Sequence, residues 1–402
     1  MTMRARSAVV LVLAFALAPR AAAAQDQTAP PEPVSRFNLG PLGLTPSMTF
    51  TNVGIDTNVF NEPVDPKRDF SATVTPKIDA RLRVRSLRVT GSTSIDTVYF
   101  RKYISERSTN TRNSVQAEVI GSRMRAFGNA QLLDVKERPA VEINSRVERR
   151  EKGYGAGVDF RIAPRTVLVF SASRRQTAFA DAEQFEGVPL AEALDRTTTI
   201  TAGGLRLELT PLTAFVTNVQ LERDRFRAAA ARDSNTVRVM PGLEFSPDAL
   251  LAGKALVGYR RFDSLSPNQP DVSGVVSDVT LAYTLLGWTR LDGQIVRDLG
   301  YSFQLLQPVY FSMTTQIRVT QRMFGPVDAL LLGARTQLGY RTPTGADIGG
   351  RDRLTRFGGG VGFRISTARL SFNAETVKRT TNLSFETPYT GHRYYSSLTY
   401  GF

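Results

Sequence analysis

The 402-residue chain has no cysteine, a single histidine and a single tryptophan. Without cysteine there is no disulfide framework, no lipid-attachment site and no thiolate metal centre. The lone His392 has no second imidazole to share a zinc ion, and no triad acid stands at a defined spacing from Ser396 or Ser397. Gly358, Gly359 and Gly360 form a run without the lysine of a phosphate loop, and Asp56 with Asn58 supplies too few oxygens for calcium. These absences speak against an enzyme and predict no cofactor. Long apolar runs are missing too. Past the amino terminus nothing approaches the roughly eighteen apolar residues that a spanning helix needs.

What is present points to export. Arg4 and Arg6 precede an apolar stretch from Ala8 to Ala18, and Ala22, Ala23 and Ala24 form a small-residue cleavage site before Gln25. Residues 1–24 therefore read as a signal peptide, and any membrane span of the mature chain must be β. Residues 25–46, rich in proline and alanine, read as a periplasmic lead-in. From residue 47 to 402 alternating segments of about ten residues repeat to the end, the pattern of a transmembrane antiparallel up-and-down β-barrel.

The segment from Phe70 to Val84 carries that pattern best. Phe70, Ala72, Val74, Pro76, Ile78, Ala80, Leu82 and Val84 take one face, while Ser71, Thr73, Thr75, Lys77, Asp79, Arg81 and Arg83 take the other. On a later segment, Leu330, Leu332, Leu338 and Tyr340 are assigned outward and Leu331, Arg335 and Gln337 inward. Short turns, such as Arg85-Ser86 and Ser366–Ala368, alternate with longer polar loops, such as Lys136–Arg150 and Thr177–Asp195. Eight turns and nine loops predict about eighteen strands with both termini periplasmic. That leaves no room for a plug domain with twenty-two strands. Outward aromatics sort into two belts, with Phe70, Tyr99, Tyr154, Phe311, Tyr340, Phe357 and Tyr394 near the long loops. Phe160, Phe245, Tyr283, Phe363 and Phe402 lie near the short turns.

The final strand alternates Tyr394, Ser396, Leu398, Tyr400 and Phe402 on one face. This ending resembles the terminal signal of bacterial outer-membrane proteins. The resemblance implies that the barrel-assembly machinery reads Leu398, Tyr400 and Phe402.

The chain carries 51 Lys+Arg against 37 Asp+Glu, a formal charge of +14. For an exported chain nucleic acid is not the partner. Lipopolysaccharide phosphates, anionic solutes or an acidic polysaccharide fit the excess. A barrel of this size encloses an aqueous lumen, and its inward faces carry Lys77, Arg81, Arg83 and Arg88 early, then Arg318, Arg335, Arg356, Arg364 and Arg393 late. Because the last strand pairs with the first, the two groups become neighbours. Either they form an anion-attracting wall, or they pair with acids and only stabilise it. The longest loop, Thr177–Asp195, with Phe179, Phe185 and Leu190, is the candidate for an inward-folded constriction.

Ile55-Asp56-Thr57-Asn58-Val59-Phe60, Tyr259-Arg260-Arg261-Phe262-Asp263 and Thr289-Arg290-Leu291 are similar to motifs of the outer-membrane β-barrel porin family associated with exopolysaccharide-biosynthesis operons. That resemblance implies a barrel in the outer membrane, among lipid and lipopolysaccharide. A porin-like channel favouring anionic solutes, an exopolysaccharide export or assembly component, and a structural barrel with an occluded lumen all stay open.

Overall fold

The computed structural model describes residues 35–266, 271–304, 306–342, 345–350, 352–384 and 386–401. The expected signal peptide, residues 25–34 of the expected lead-in and Phe402 lie outside the described residues. Eighteen antiparallel strands form the wall. They are β1 Leu42–Asp56, β2 Asp69–Val84, β3 Leu87–Phe100, β4 Ser108–Ile120, β5 Met124–Glu137 and β6 Val147–Ala163. Next come β7 Thr166–Phe179, β8 Arg196–Thr210, β9 Thr213–Phe226, β10 Ser234–Phe245, β11 Leu251–Ser264 and β12 Val272–Leu285. The wall ends with β13 Thr289–Tyr301, β14 Val309–Arg322, β15 Val327–Arg341, β16 Asp352–Ile365, β17 Ala368–Thr381 and β18 Tyr389–Tyr400.

Each strand pairs with the next in the chain, and β18 pairs with β1 from Met48↔Tyr400 to Asp56↔Arg393, which closes the barrel. Turns of two to five residues join one rim and connections of seven to sixteen residues the other. The even strand number brings both ends of the wall to the short-turn rim. All of this follows the period-two pattern, with lipid-facing positions apolar and lumen-facing positions polar.

The wall begins at Leu42, earlier than the expected Ser47, and a short strand Phe37–Leu39 folds back on it. Pro46 blurs the alternation there. It is tolerated because β18 reaches only to Met48, so the proline stands on an edge. Pro76 and Pro241 sit in gaps of the ladder, where the pairings of β2 with β3 and of β10 with β11 lapse. Neither has an N–H to offer.

One strand shows the opposite face from the one expected. Leu331 is 56% exposed whereas Tyr340 is fully buried, so on β15 the odd-numbered residues face outward. Leu330, Leu331 and Leu332 are all leucine, and a pattern apolar on both faces cannot decide the direction.

The wall is also split at one place. β12 and β13 pair only between Ser277–Leu285 and Thr289–Arg297. Above that point β13 continues with β14 and tucks inside β11 and β12. Leu299 and Phe311 are then buried against Phe262 and Val272, so Phe311 belongs to no outward belt. The wall laps over itself there, sealed by apolar contact in place of hydrogen bonds.

Candidate functional site

The connection 138–146 leaves between β5 and β6 and crosses the barrel. Val141 packs against Tyr310, Leu338 and Tyr340 on β14 and β15. In a ring of eighteen strands those lie about diametrically opposite. The neighbouring Glu142, itself buried, accepts hydrogen bonds from Ser302 Oγ and from the Phe303 N–H at 3.3 Å. Ile143 joins a core with Phe179, Leu190, Leu194 and Phe303. Loop 180–195 thus packs over the same end, as its apolar residues suggest, but the segment that reaches the far wall is 138–146. Arg232 ties the lids together by donating to the carbonyls of Ala193 at 3.0 Å, Ser302 at 2.7 Å and Gln304 at 2.8 Å.

Burial disfavours ionisation of these loop carboxyls, in Glu386 even against its ion pair with Arg379. It pushes the Glu142 carboxyl up to about 8, with nearby Glu386 adding to the rise. Glu386 goes up to about 7, also through burial.

Under this crossing the β8–β13 side of the lumen is filled by ion-pair ladders. Arg260 contacts Glu222 at 3.0 Å and Asp298 at 2.8 Å, while Arg238 contacts Asp298 at 3.3 Å. Space remains on the opposite side, as two cavities of about 330 and 370 Å³ that share Asp56, Glu137, Arg146 and Arg393 as lining. Together they are faced by five guanidinium groups, Arg112, Arg138, Arg146, Arg356 and Arg393, against three carboxylates, Asp56, Asp96 and Glu137.

The carboxylates are already engaged. Asp56 takes Arg393 at 3.0 Å, and Arg112 holds Asp96 while meeting Glu137 at 2.7 Å. Arg138 donates to the carbonyls of Val59 at 2.7 Å and Asn144 at 2.8 Å. Arg146 donates to Ser108 Oγ and the Lys136 carbonyl at 3.2 Å each, and its Nε has no protein partner. Neither makes an ion pair within 4.0 Å among the described residues. Burial, and next the proximity of Arg393, bring Arg138 down to about 10. Burial lowers Arg146 as well. At about 10 Arg138 remains cationic at neutral pH.

The nine residues expected to line the pore divide. Lys77 pairs with Asp79 at 2.8 Å, Arg88 with Glu118 at 3.9 Å, Arg356 with Glu375 at 3.5 Å and Arg364 with Asp328 at 3.7 Å. Arg393 pairs with Asp56, as above. Arg81 and Arg83 share the lumen face of β2 near the short-turn rim, and Arg318 stands on the lumen face of β14 opposite Asp292. Arg335 is a correction. It lies opposite Thr315 and Thr355 on the outward face, because β15 presents its odd residues to lipid.

Leu398 and Tyr400 face outward on β18. His392 Nδ1 lies 3.0 Å from Thr376 Oγ1. Asp56 and Asn58 belong to a turn, Asp56 Oδ1 accepting the Asn58 N–H at 2.9 Å while Asn58 Nδ2 reaches the Thr390 carbonyl at 3.0 Å. The motif that opens the barrel thus fastens its first loop to its last strand. Sequence reasoning missed Arg138, Arg146 and Arg112. The one available signal was two arginines flanking apolar Val141 and Ile143 inside a polar loop.

A family profile described as "Putative beta-barrel porin 2" matches residues 37–399. No curated protein matches the chain. Among solved structures it is similar to the outer membrane protein OpdK from Pseudomonas aeruginosa. That likeness is at 10% identity over 89% of this chain and 99% of that one, with a TM-score of 0.47. It is also similar to the siderophore receptor PirA from Pseudomonas aeruginosa, at 11% identity over 89% and 80%, with a TM-score of 0.45.

Proposed function

The chain belongs to the family described as "Putative beta-barrel porin 2", and we propose that it is an outer-membrane channel for small anionic solutes. In this reading the long-loop rim faces outside, both termini are periplasmic, and loop 138–146 sets the constriction. The supporting observation is the convergence of Arg138 and Arg146 with Arg356 and Arg393 on one cavity. Elsewhere the lumen arginines are largely matched by acids, so they hold the wall together and contribute little field. At the crossing two half-buried guanidinium groups donate hydrogen bonds only to neutral groups. A positive charge in a narrow passage with low-dielectric walls concentrates anions and repels cations.

Export of an acidic polysaccharide is the weaker reading. A polymer threads the whole bore, and a loop seated on the far wall obstructs it where a small solute can pass beside it. Reversal potentials of the full chain in planar bilayers test the proposal. Anion preference is expected, reduced in Arg138→Gln and further reduced in the double variant with Arg146→Gln. Cation preference, or selectivity indifferent to both substitutions, overturns it.

A further inference from the structure

The outward surface of the barrel is electrostatically lopsided. Among the described residues the outward strand positions near the short turns carry no lysine or arginine. Val84, Val119, Ile162, Leu209, Phe245 and Phe363 are typical of them. Just beyond the other aromatic belt the outward positions turn basic. Tyr154 is 55% and Leu221 is 52% exposed on the outer face of β6 and β9. By alternation Lys152 follows Tyr154, and Arg223 follows Leu221, on those same faces.

The register joins these positions. Arg174 on β7 lies opposite Tyr154 on one side and Thr199 on the other, and Thr199 lies opposite Arg223. Two arginines thus flank one threonine across three strands, their backbones about 10 Å apart at the usual strand spacing. Lys152, opposite Gln176, stands one outward position further toward the loops.

None of these three cations has an ion-pair partner within 4.0 Å among the described residues. Their basic neighbours do. Arg150 engages Asp134, Arg261 meets Asp263 at 2.7 Å and Arg225 meets Asp233 at 3.8 Å. The same geometry recurs across the barrel, where Arg335 and Lys378 both lie opposite Thr355. That pair sits just beyond the exposed Phe357.

A cation on the lipid face is costly at the bilayer midplane and costs close to nothing near the interface. These positions, on the loop side of the aromatic belt, are at the inexpensive depth. The long side chains bring their charges to the headgroup layer. An ordinary zwitterionic phospholipid offers each phosphate already matched by its own ammonium. A lipid with uncompensated phosphates, and a charge on only one leaflet, fits a basic collar on only one rim. Paired guanidinium forks suit phosphate oxygens better than isolated ammonium groups do.

We propose that Arg174 and Arg223, with Lys152, form a binding site for a phosphate of an anionic glycolipid in the outer leaflet, and that Arg335 with Lys378 forms a second. The site is independent of what passes through the lumen. It also orients the barrel, since the collar marks the rim that meets the glycolipid.

Native mass spectrometry of the full chain in detergent tests this, with bisphosphorylated lipid A as the probe. Dephosphorylated lipid A, phosphatidylglycerol and inorganic phosphate serve as comparisons. Bound lipid A is expected, with little retention of the other three. Arg174→Gln with Arg223→Gln should weaken that binding roughly tenfold, the equivalent of one lost charge-assisted contact. Arg174→Lys with Arg223→Lys should fall between. Arg150→Gln, whose charge is already matched by Asp134, should change little and controls for folding. Equal retention of the dephosphorylated lipid or of phosphatidylglycerol overturns the assignment. Tight binding of inorganic phosphate alone, or a double glutamine variant that folds and binds as before, also overturns it.

Discussion

Glu142 and Ser302 meet side chain to side chain across the barrel mouth, on connections that leave from nearly opposite walls. The carboxyl is buried, so its protonated form is favoured and its pKa rises from 4.5 to about 8. A raised carboxyl pKa means that the closed arrangement binds the proton more tightly than the open one. The loop's hold is strongest below about 4.5, weakens as pH climbs to about 8 and levels off beyond. Glu386 follows the same direction, to about 7, while Arg232 opposes it by favouring the Glu142 carboxylate. Conductance is therefore expected to increase between about pH 5 and pH 9. Glu142→Gln, which cannot ionise, should flatten much of that profile at the low-conductance level. An unchanged pH profile in this variant counts against the linkage.

Val141 makes the mechanical part of the same contact. Replacing it with aspartate places a charge against Tyr310, Leu338 and Tyr340, which a buried apolar contact does not accommodate. The loop should then lift from the far wall and single-channel conductance should rise severalfold, with the strands intact. If Val141→Asp conducts like the parent, loop 138–146 is not the constriction.

The wall was legible because lipid and water impose period two on each strand. Phe70–Val84 shows it residue by residue, and the alternation of short and long connections set the strand count. Closure of Asp56 against Arg393 follows from an even up-and-down count. The lumen was less legible, because a carboxylate on one strand meets an arginine chosen by register. Nothing in the neighbourhood of Arg364 in sequence points to Asp328. The face of β15 was misread because Leu338 and Tyr340 are apolar toward the lumen, where a loop covers them. That loop has no period of its own, so the positions of Arg138 and Arg146 were not readable.

The lapped seam depends on Gly274. A Cβ there would lie 2.9 Å from the Phe311 ring, which Phe262, Val272, Leu299 and Val309 already enclose. Gly274→Val should cost about 1–3 kcal/mol through overpacking. Gly333→Ala, with nothing within 4 Å of its added carbon, should stay within about 0.5 kcal/mol of the parent. Unfolding of the refolded barrel by denaturant, followed by gel mobility, separates the two. Equal stability would mean that Phe311 has room to move and that the seam is looser than its burial indicates.

Closure itself converges on Gly54. The ladder between β1 and β18 shifts register between Phe50 and Val53, with Asn52 in the left-handed region at φ 53°. The strands then come so close that a Cβ on Gly54 would lie 1.9 Å from the Tyr394 carbonyl oxygen and 2.6 Å from the Tyr395 Cα. Both obstacles are backbone, so no side-chain rotation relieves them. Gly54→Ala must push the first and last strands apart, in the span that also holds the Asp56–Arg393 pair. Because these two strands are the pair furthest apart in sequence, the penalty should fall on the closing step. The expected outcome is slower folding into lipid vesicles and faster unfolding, whereas Gly128→Ala, 3.7 Å from its nearest neighbour, should leave both rates unchanged. Identical folding rates for Gly54→Ala and Gly128→Ala would show that β1 and β18 part without cost.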